Sequence, residues 1–526
     1  MANTKEEYMP TSTTTIKTGV LILNGCKTYG KTKNGKLLYK CIPHKSENPT
    51  VLIPYQLKMG FSKNIKNKFI SFSESKNFSE SKNFSESKNF SESKNFSESK
   101  NFSESKNFSE SKNFSKLKNF SINDTTTIES NSPIIGQLCN VFGDVDDLTA
   151  YYEYQLNSRE LSFSQLKINY KPETMEPNSV IEDRLFEHTF TIDNEGTTDY
   201  DDAFSIRKLG GGQWKISIYI INVAFYIEYF QLWEIIKERL MSNIYLPHRK
   251  INILPTSLID TFLSLKAGEE RYTLCLDITI DENKNVIDTV ITQALISVKR
   301  NYVYDSMELL SDEHYRNLLA NSPTPINNSH ELVAYWMEYY NLNVMKQVPT
   351  TLSKSFIYTH HYVIPYTIDN VFLHQLVQSY PSGYYFYSEE GGEGKNDYIH
   401  LTSPIRRIVD IWNQSVLSMI AFTPLDLERG NLQIKQIRKL QMETFLMKTC
   451  FDFANLETLY DGVLFDFERG VGEYKYSVYV KSLKLVSKIT SLIEYPLFSH
   501  HRFKIFLFGS EYQMNRKVKL QLWMAV

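Results

Sequence analysis

Residues 191–206 read TIDNEGTTDYDDAFSI, and this stretch packs four aspartates, Asp193, Asp199, Asp201 and Asp202, into ten positions. Carboxylates this close repel one another, and a cation relieves that repulsion. Hard oxygen ligands suit Mg²⁺ or Mn²⁺. In an extended chain Asp201 and Asp202 point to opposite faces, so bringing them together requires a bent loop, and Gly196 offers the bend. The stretch leads straight into Ala203, Phe204 and Ile206, the apolar start of a strand. Its spacing does not fit the EF-hand pattern. Two readings stay open at this point: a metal site, or a solvated acidic turn.

Further along, residues 402–407 read TSPIRR, and Pro404 precedes a helical pattern over Ile405–Ile420. That placement puts guanidinium groups in the first turn, where the helix dipole disfavours them. A phosphate or carboxylate partner explains such charges, and so does an ordinary surface ion pair.

At 526 residues the chain is long enough for two to four domains. Its 42% hydrophobic and 22% charged residues are ordinary for a soluble globular protein. A formal net charge of −2 gives no bulk case for nucleic-acid binding, so any RNA would have to meet local basic surface. The five cysteines include no Cys-x-x-Cys pair, so neither a zinc ribbon nor a disulfide framework is suggested. The start of the chain is polar and acidic, unlike a signal peptide. The most apolar run, Ile216–Ile227, is too short for a membrane span of about 20 residues. These features point to a cytoplasmic, monomeric protein without a membrane partner. High Phe, Tyr and Lys with low Gly usage suits an AT-rich genome, that of a large DNA virus or an intracellular eukaryote.

Residues 72–113 are seven copies of FSESKN, followed by the degenerate FSKLKN at 114–119. Six residues turn successive Phe by about 240° around a helix, so no apolar stripe forms. The unit is also too short for a packed solenoid. Residues 72–125 therefore read as a disordered insertion. It splits a small β-barrel built from strand-like runs at Gly19–Leu23, Leu37–Ile42, Thr50–Pro54 and Pro133–Val141. The middle mixes strands (Trp214–Val223, Cys275–Ile280, Val286–Val298) with helices (Leu332–Gln347). After about residue 455 short strands return: Tyr476–Val480, Phe503–Phe508 and Val518–Trp523. The expected layout is an N-terminal tail (1–18), a barrel (19–155), an α/β body (156–450) and a second barrel (451–526).

The acidic stretch resembles the signature of the RNase II/RNase R family: Asp, five residues, Asp, one residue, Asp-Asp-Ala. SNIYLP (242–247), LSLKAGEER (263–271) and YIHLTSPIRRIVD (398–410) follow in the family's order, and GDVDDLTAYYEYQL (143–156) resembles its entry linker. The resemblance covers roughly residues 140–420. It implies an α+β multidomain protein, with an RNB-type α/β catalytic domain flanked by small OB-fold barrels. The implied activity is processive 3′→5′ hydrolysis of single-stranded RNA to nucleoside 5′-monophosphates. Asp193, Asp199 and Asp202 would hold Mg²⁺ or Mn²⁺, and Asp201 would complete the acidic centre. Arg406 would contact the scissile phosphate, Tyr245 would stack on a terminal base, and Arg407 would assist in RNA binding. Two metals about 3.5–4 Å apart can activate a water and stabilise a leaving 3′-oxygen.

Four departures stand beside the resemblance. The family's His-Ile-Ala-Asp-Val is Tyr219-Ile220-Ile221-Asn222-Val223, without the acid. The Arg of its Arg-x-His step is Thr359, with His361 retained. A His-Arg pair after Asp410 is replaced by Gln414-Ser415, and the Tyr after the paired arginines is Ile408. They leave two alternatives, a catalytically weakened RNB-like protein that binds RNA without cutting it, and a metal-dependent nuclease acting on DNA or internal sites.

Overall fold

The structure is a computed structural model that describes residues 15–45, 47–57, 65–74, 134–162, 181–346, 351–356, 383–388, 398–420, 424–451, 457–483, 485–508 and 517–523. Two compact units divide the chain, residues 1–141 and 142–526.

In the first unit, strands β1 (Ile16–Leu21), β2 (Leu37–Pro43), β3 (Val51–Tyr55), β4 (Lys68–Glu74) and β5 (Ile134–Asp144) close a barrel in the order β1-β2-β3-β5-β4. β1 closes it by pairing antiparallel with both β2 and β4. This is the five-stranded arrangement of an OB-fold. Alternate residues fill its core: Tyr39 and Cys41 from β2, Val51 and Ile53 from β3, Ile70 and Phe72 from β4. Phe72 corrects the expected start of the insertion. It is fully buried, and β4 runs on through Glu74, so the first FSE of the repeat is barrel strand. Ile70 fills the core, and Phe72, two residues on, continues that period of two. The rest of the repeat lies outside the described residues. β1 likewise begins at Ile16, inside the expected tail.

The second unit is built on β6 (Glu182–Asp183), β7 (Thr189–Asp193), β8 (Asp202–Lys208) and β9 (Trp214–Ile221). They are joined, beyond the small hairpin β10 (Ile244–Tyr245) and β11 (Lys250–Ile251), by β12 (Glu270–Ile280) and β13 (Val286–Val303). The order is β12-β9-β8-β7-β13-β6, and β12 also pairs with β13, so the strands return on themselves. Both faces are buried. Ile216, Ile218 and Ile220 of β9 join one core with Trp336 and Tyr340 of the helix Ser329–Met345. Tyr219 and Ile221 join another with Ile408 and Ile411 of the helix Ile408–Leu417. Each such side chain contributes about 1.5–3 kcal/mol of burial.

The expected strand Trp214–Val223 stops at Ile221 because Asn222 caps a helix, Val223–Tyr229, its side chain accepting from Phe225 N at 3.1 Å. Asn is a strong N-cap, and it ends the strand although the apolar run continues. The helix expected over Ile405–Ile420 spans only Ile408–Leu417. Pro404–Arg406 form a turn, with Arg406 N donating to Ser403 O at 3.2 Å. The arginines therefore precede the first helical turn. Strands β14 (Thr351–Phe356), β15 (Gly383–Ser388) and β16 (Tyr398–Ile399) form a small sheet. Thr359 and His361 lie outside the described residues. After the long helix Leu427–Phe451, β17 (Tyr460–Arg469), β18 (Tyr474–Val480), β19 (Leu485–Ser491), β20 (His500–Phe508) and β21 (Lys517–Leu522) curl into a half-barrel, in the order β19-β18-β17-β20-β21.

Candidate functional site

Asp193 ends β7 and Asp202 begins β8, so the acidic loop is the connection between two central strands. Gly196 supplies its bend at φ +79°, and Thr197 N donates to Asn194 O at 3.1 Å. The loop is pinned from the LSLKAGEER segment. Ser264 Oγ donates to Thr198 O at 2.8 Å and accepts from Tyr200 N at 3.1 Å, while Leu265 N donates to Tyr200 O at 3.1 Å. A single serine thus satisfies two loop groups that have no ladder partner.

Asp201 Oδ1 accepts from Ile405 N at 3.0 Å, which ties the acidic loop to the TSPIRR turn. That turn is in turn tied to SNIYLP: Asn243 N donates to Arg406 O and Ile408 N to Met241 O, both at 3.0 Å. Arg406 is exposed, and its Nη2 donates to Ser403 Oγ at 2.9 Å. Arg407 has a different fate. Its Nη2 donates to the fully buried Asp410 at 2.8 Å, and the same Asp410 oxygen accepts from Ser403 N. Arg407 thus braces the turn that carries Arg406.

The charges converge. Burial pushes Asp193 up to about 6, against a hydrogen bond from Thr191 and the pull of Arg406. Burial likewise pushes Asp201 up to about 7, although Arg406 and the Ile405 amide oppose it. Asp202 is raised well above the usual carboxylate range by burial and then by Asp193 and Asp201. Three carboxylates that resist ionising together fit a hard divalent cation, which would neutralise the excess charge. Asp199 stands apart from them, bonded to the Lys250 ammonium and to Thr198 Oγ1 at 2.7 Å. Among the described residues, no three acids of the loop bring one oxygen each within 4.8 Å of one another.

Tyr245 is 46% exposed, and the Lys250 ammonium lies over its ring, 5.7 Å from the centroid. The hairpin holding both is clamped by Glu153 of the helix Leu148–Ser158, which accepts from Arg249 at 2.6 and 2.8 Å and bonds His248 at 2.8 Å. Lys250 and Tyr304 were not singled out from the sequence. Tyr304 N donates to Asp193 O at 2.9 Å, and its phenol is raised by burial and by Asp202 and Asp193. Lys250 lies just past the SNIYLP motif, and its charge beside an exposed aromatic was the available signal. Tyr304, a hundred residues downstream of the loop, offered none.

A family model for the RNB domain matches residues 183–338. The chain carries an RNB domain. It is a homologue of the RNase II/RNase R family of exoribonucleases. Over 187 residues it is 28% identical to ribonuclease R of Mycoplasmopsis pulmonis, a match covering 33% of this chain and 25% of that protein. The matched stretch thus spans a quarter of that curated relative. The fold resembles Mycoplasma genitalium RNase R in complex with ribose-methylated single-stranded RNA, with a TM-score of 0.61 at 14% identity, covering 96% of this chain and 89% of the other. It also resembles yeast Ssd1, described as a pseudonuclease, with a TM-score of 0.55 at 14% identity, covering 90% of this chain and 65% of the other. The matched region of the RNB domain contains the acidic loop, Ser264 and the Tyr245 hairpin, while Arg406 lies beyond it.

Proposed function

We propose that the RNB domain makes this protein a processive 3′→5′ exoribonuclease, hydrolysing single-stranded RNA to nucleoside 5′-monophosphates. The observation that carries the reading is the electrostatic coupling of Asp193, Asp201 and Asp202 to Arg406, with the exposed Tyr245 on the hairpin whose Lys250 bonds Asp199. Asp193, Asp199 and Asp202 would hold Mg²⁺ or Mn²⁺, with Asp201 completing the acidic set. When bound, such cations supply an activated water and stabilise the departing 3′-oxygen. Arg406, braced by Ser403, offers charge-assisted hydrogen bonds to the scissile phosphate, strongest as charge develops on it. Tyr245 stacks on a terminal base, a contact worth about 1–3 kcal/mol that any base can make.

Lys250 on Asp199 favours a second reading, RNA binding without cleavage, because one proposed ligand is already neutralised by the chain's own cation. The test uses 5′-labelled single-stranded RNA with purified protein and Mg²⁺, beside Asp201→Asn. A descending ladder ending in monophosphates, abolished by the substitution and by EDTA, supports the nuclease. Intact RNA with measurable binding would favour the second reading and sink the first.

A further inference from the structure

A second group of potential ligands sits at the other end of β7, about 16 Å from Asp193 by strand rise. His188 immediately precedes the strand, while Asp312 and His314 lie at the start of the helix Glu313–Ala320. One ligand atom from each lies within 4.8 Å of the other two. His188 Nε2 is 3.8 Å from Asp312 Oδ2, and His314 Nδ1 is 4.0 Å from Asp312 Oδ1, both too long for hydrogen bonds. His188 Nε2 is shielded from solvent and has no hydrogen-bond partner. A buried polar atom of this kind needs an explanation.

We propose that His188, Asp312 and His314 form a second cation site, for a borderline transition metal such as Zn²⁺. Two imidazoles and a carboxylate are a donor set for zinc, with a fourth position open to water. The acidic loop, in contrast, offers only hard oxygens. Zinc–ligand bonds of about 2.0–2.2 Å place the donors of a tetrahedral site about 3.3–3.6 Å apart, so ring rotations that draw these atoms closer by roughly half an ångström or more close the site. The two rings now stack at 3.8 Å and 12°, and His314, one third exposed, has room to turn. Asp312 is already oriented, accepting from Tyr302 Oη at 2.9 Å and from Tyr315 N at 2.8 Å. Such outer partners hold a ligand in place. Of the nearby cations, Arg300 opposes binding, and Lys299 is engaged by the Leu185 carbonyl at 2.9 Å. A bound ion would staple the start of β7 to the helical segment after β13.

The test titrates Co²⁺, then Zn²⁺, into metal-stripped full-length protein with Mg²⁺ in excess, reading cobalt absorption, calorimetric stoichiometry and melting temperature. His188→Phe, which keeps the ring stack, is compared with His314→Ala and Asp201→Asn. One equivalent of nitrogen-ligated Co²⁺ is expected in wild type and in Asp201→Asn. Affinity should fall at least tenfold in both histidine variants, and the Zn²⁺-induced rise in melting temperature should vanish. Equal binding by the histidine variants, or loss of binding only in Asp201→Asn, overturns the proposal. If His314→Ala does not fold, His188→Phe decides. RNA cleavage is not read, so the outcome stands apart from the nuclease reading.

Discussion

Arg406 and Arg407 are adjacent, yet one points its charge to the acidic loop and the other spends it on Asp410. Arg406→Ala should lower kcat about 10²–10³-fold with little change in RNA affinity, as expected when a donor acts mainly on the transition state. Single-turnover cleavage measures the first and filter binding the second. Lys250 sits between Asp199 and Tyr245. Lys250→Ala should raise KM for RNA several-fold, since a cation over an aromatic contributes about 0.5–1 kcal/mol at an exposed site. It should also lower the Mg²⁺ concentration for half-maximal activity, because Asp199 is released; an unchanged Mg²⁺ requirement would count against its being a ligand. The four aspartates were legible in the sequence because ten residues hold them. Lys250 and Tyr304 were not, because strand pairing and a hairpin bring them from elsewhere, and no local spacing records that.

Two of the departures in sequence become intelligible in the elements they join. Gln414, where the family has a His-Arg pair, lies on the helix Ile408–Leu417. Its Nε2 donates to Ile221 O at 2.8 Å, and its Oε1 accepts from Ala224 N at 3.3 Å. Asn222, where an acid is usual, caps the helix that begins between those two partners. Together they join the end of β9 to the start of a helix without any charge. Gln414→Leu should cost about 1–3 kcal/mol, because it strands buried backbone groups; urea denaturation reads this out. The repeat offers a second contrast. Excising 78–113 should leave stability and cleavage unchanged. Phe72→Ala, in contrast, opens the barrel core and should cost about 3–5 kcal/mol. The hexapeptide period hid that boundary, since a perfect repeat gives no sign that its first three residues belong to a strand.

Across the molecule, the central strands enclose a buried charge cluster that no motif announced. Asp277 on β12 accepts from Arg184 at 2.8 and 2.6 Å, from Lys215 at 2.8 Å and from Ser217 at 2.6 Å. Burial alone would raise its carboxyl, but Arg184, Lys215 and Ser217 outweigh it and hold the group down at about 2. A depressed carboxyl lends stability above its unfolded value near 4 and loses it as pH falls toward 2. The contribution is about 2 kcal/mol. Asp277→Asn should therefore destabilise the protein at pH 7 and flatten the acid limb of its stability curve between pH 4 and 2, as followed by chemical denaturation. The barrel, the α/β body and the returning strands were readable from period-two patterns. The ring made by β12 and β13 was not, since β13 serves three partners, β12, β6 and β7, along its length. That ring also sets a schedule for synthesis. β7 acquires its parallel neighbour only once residue 303 has been made, and Arg406 follows about a hundred residues later. At about 5–20 residues per second, roughly 10–40 s separate the translation of Asp193 from that of Arg406. A ribosome-bound chain is thus without its arginine for that interval.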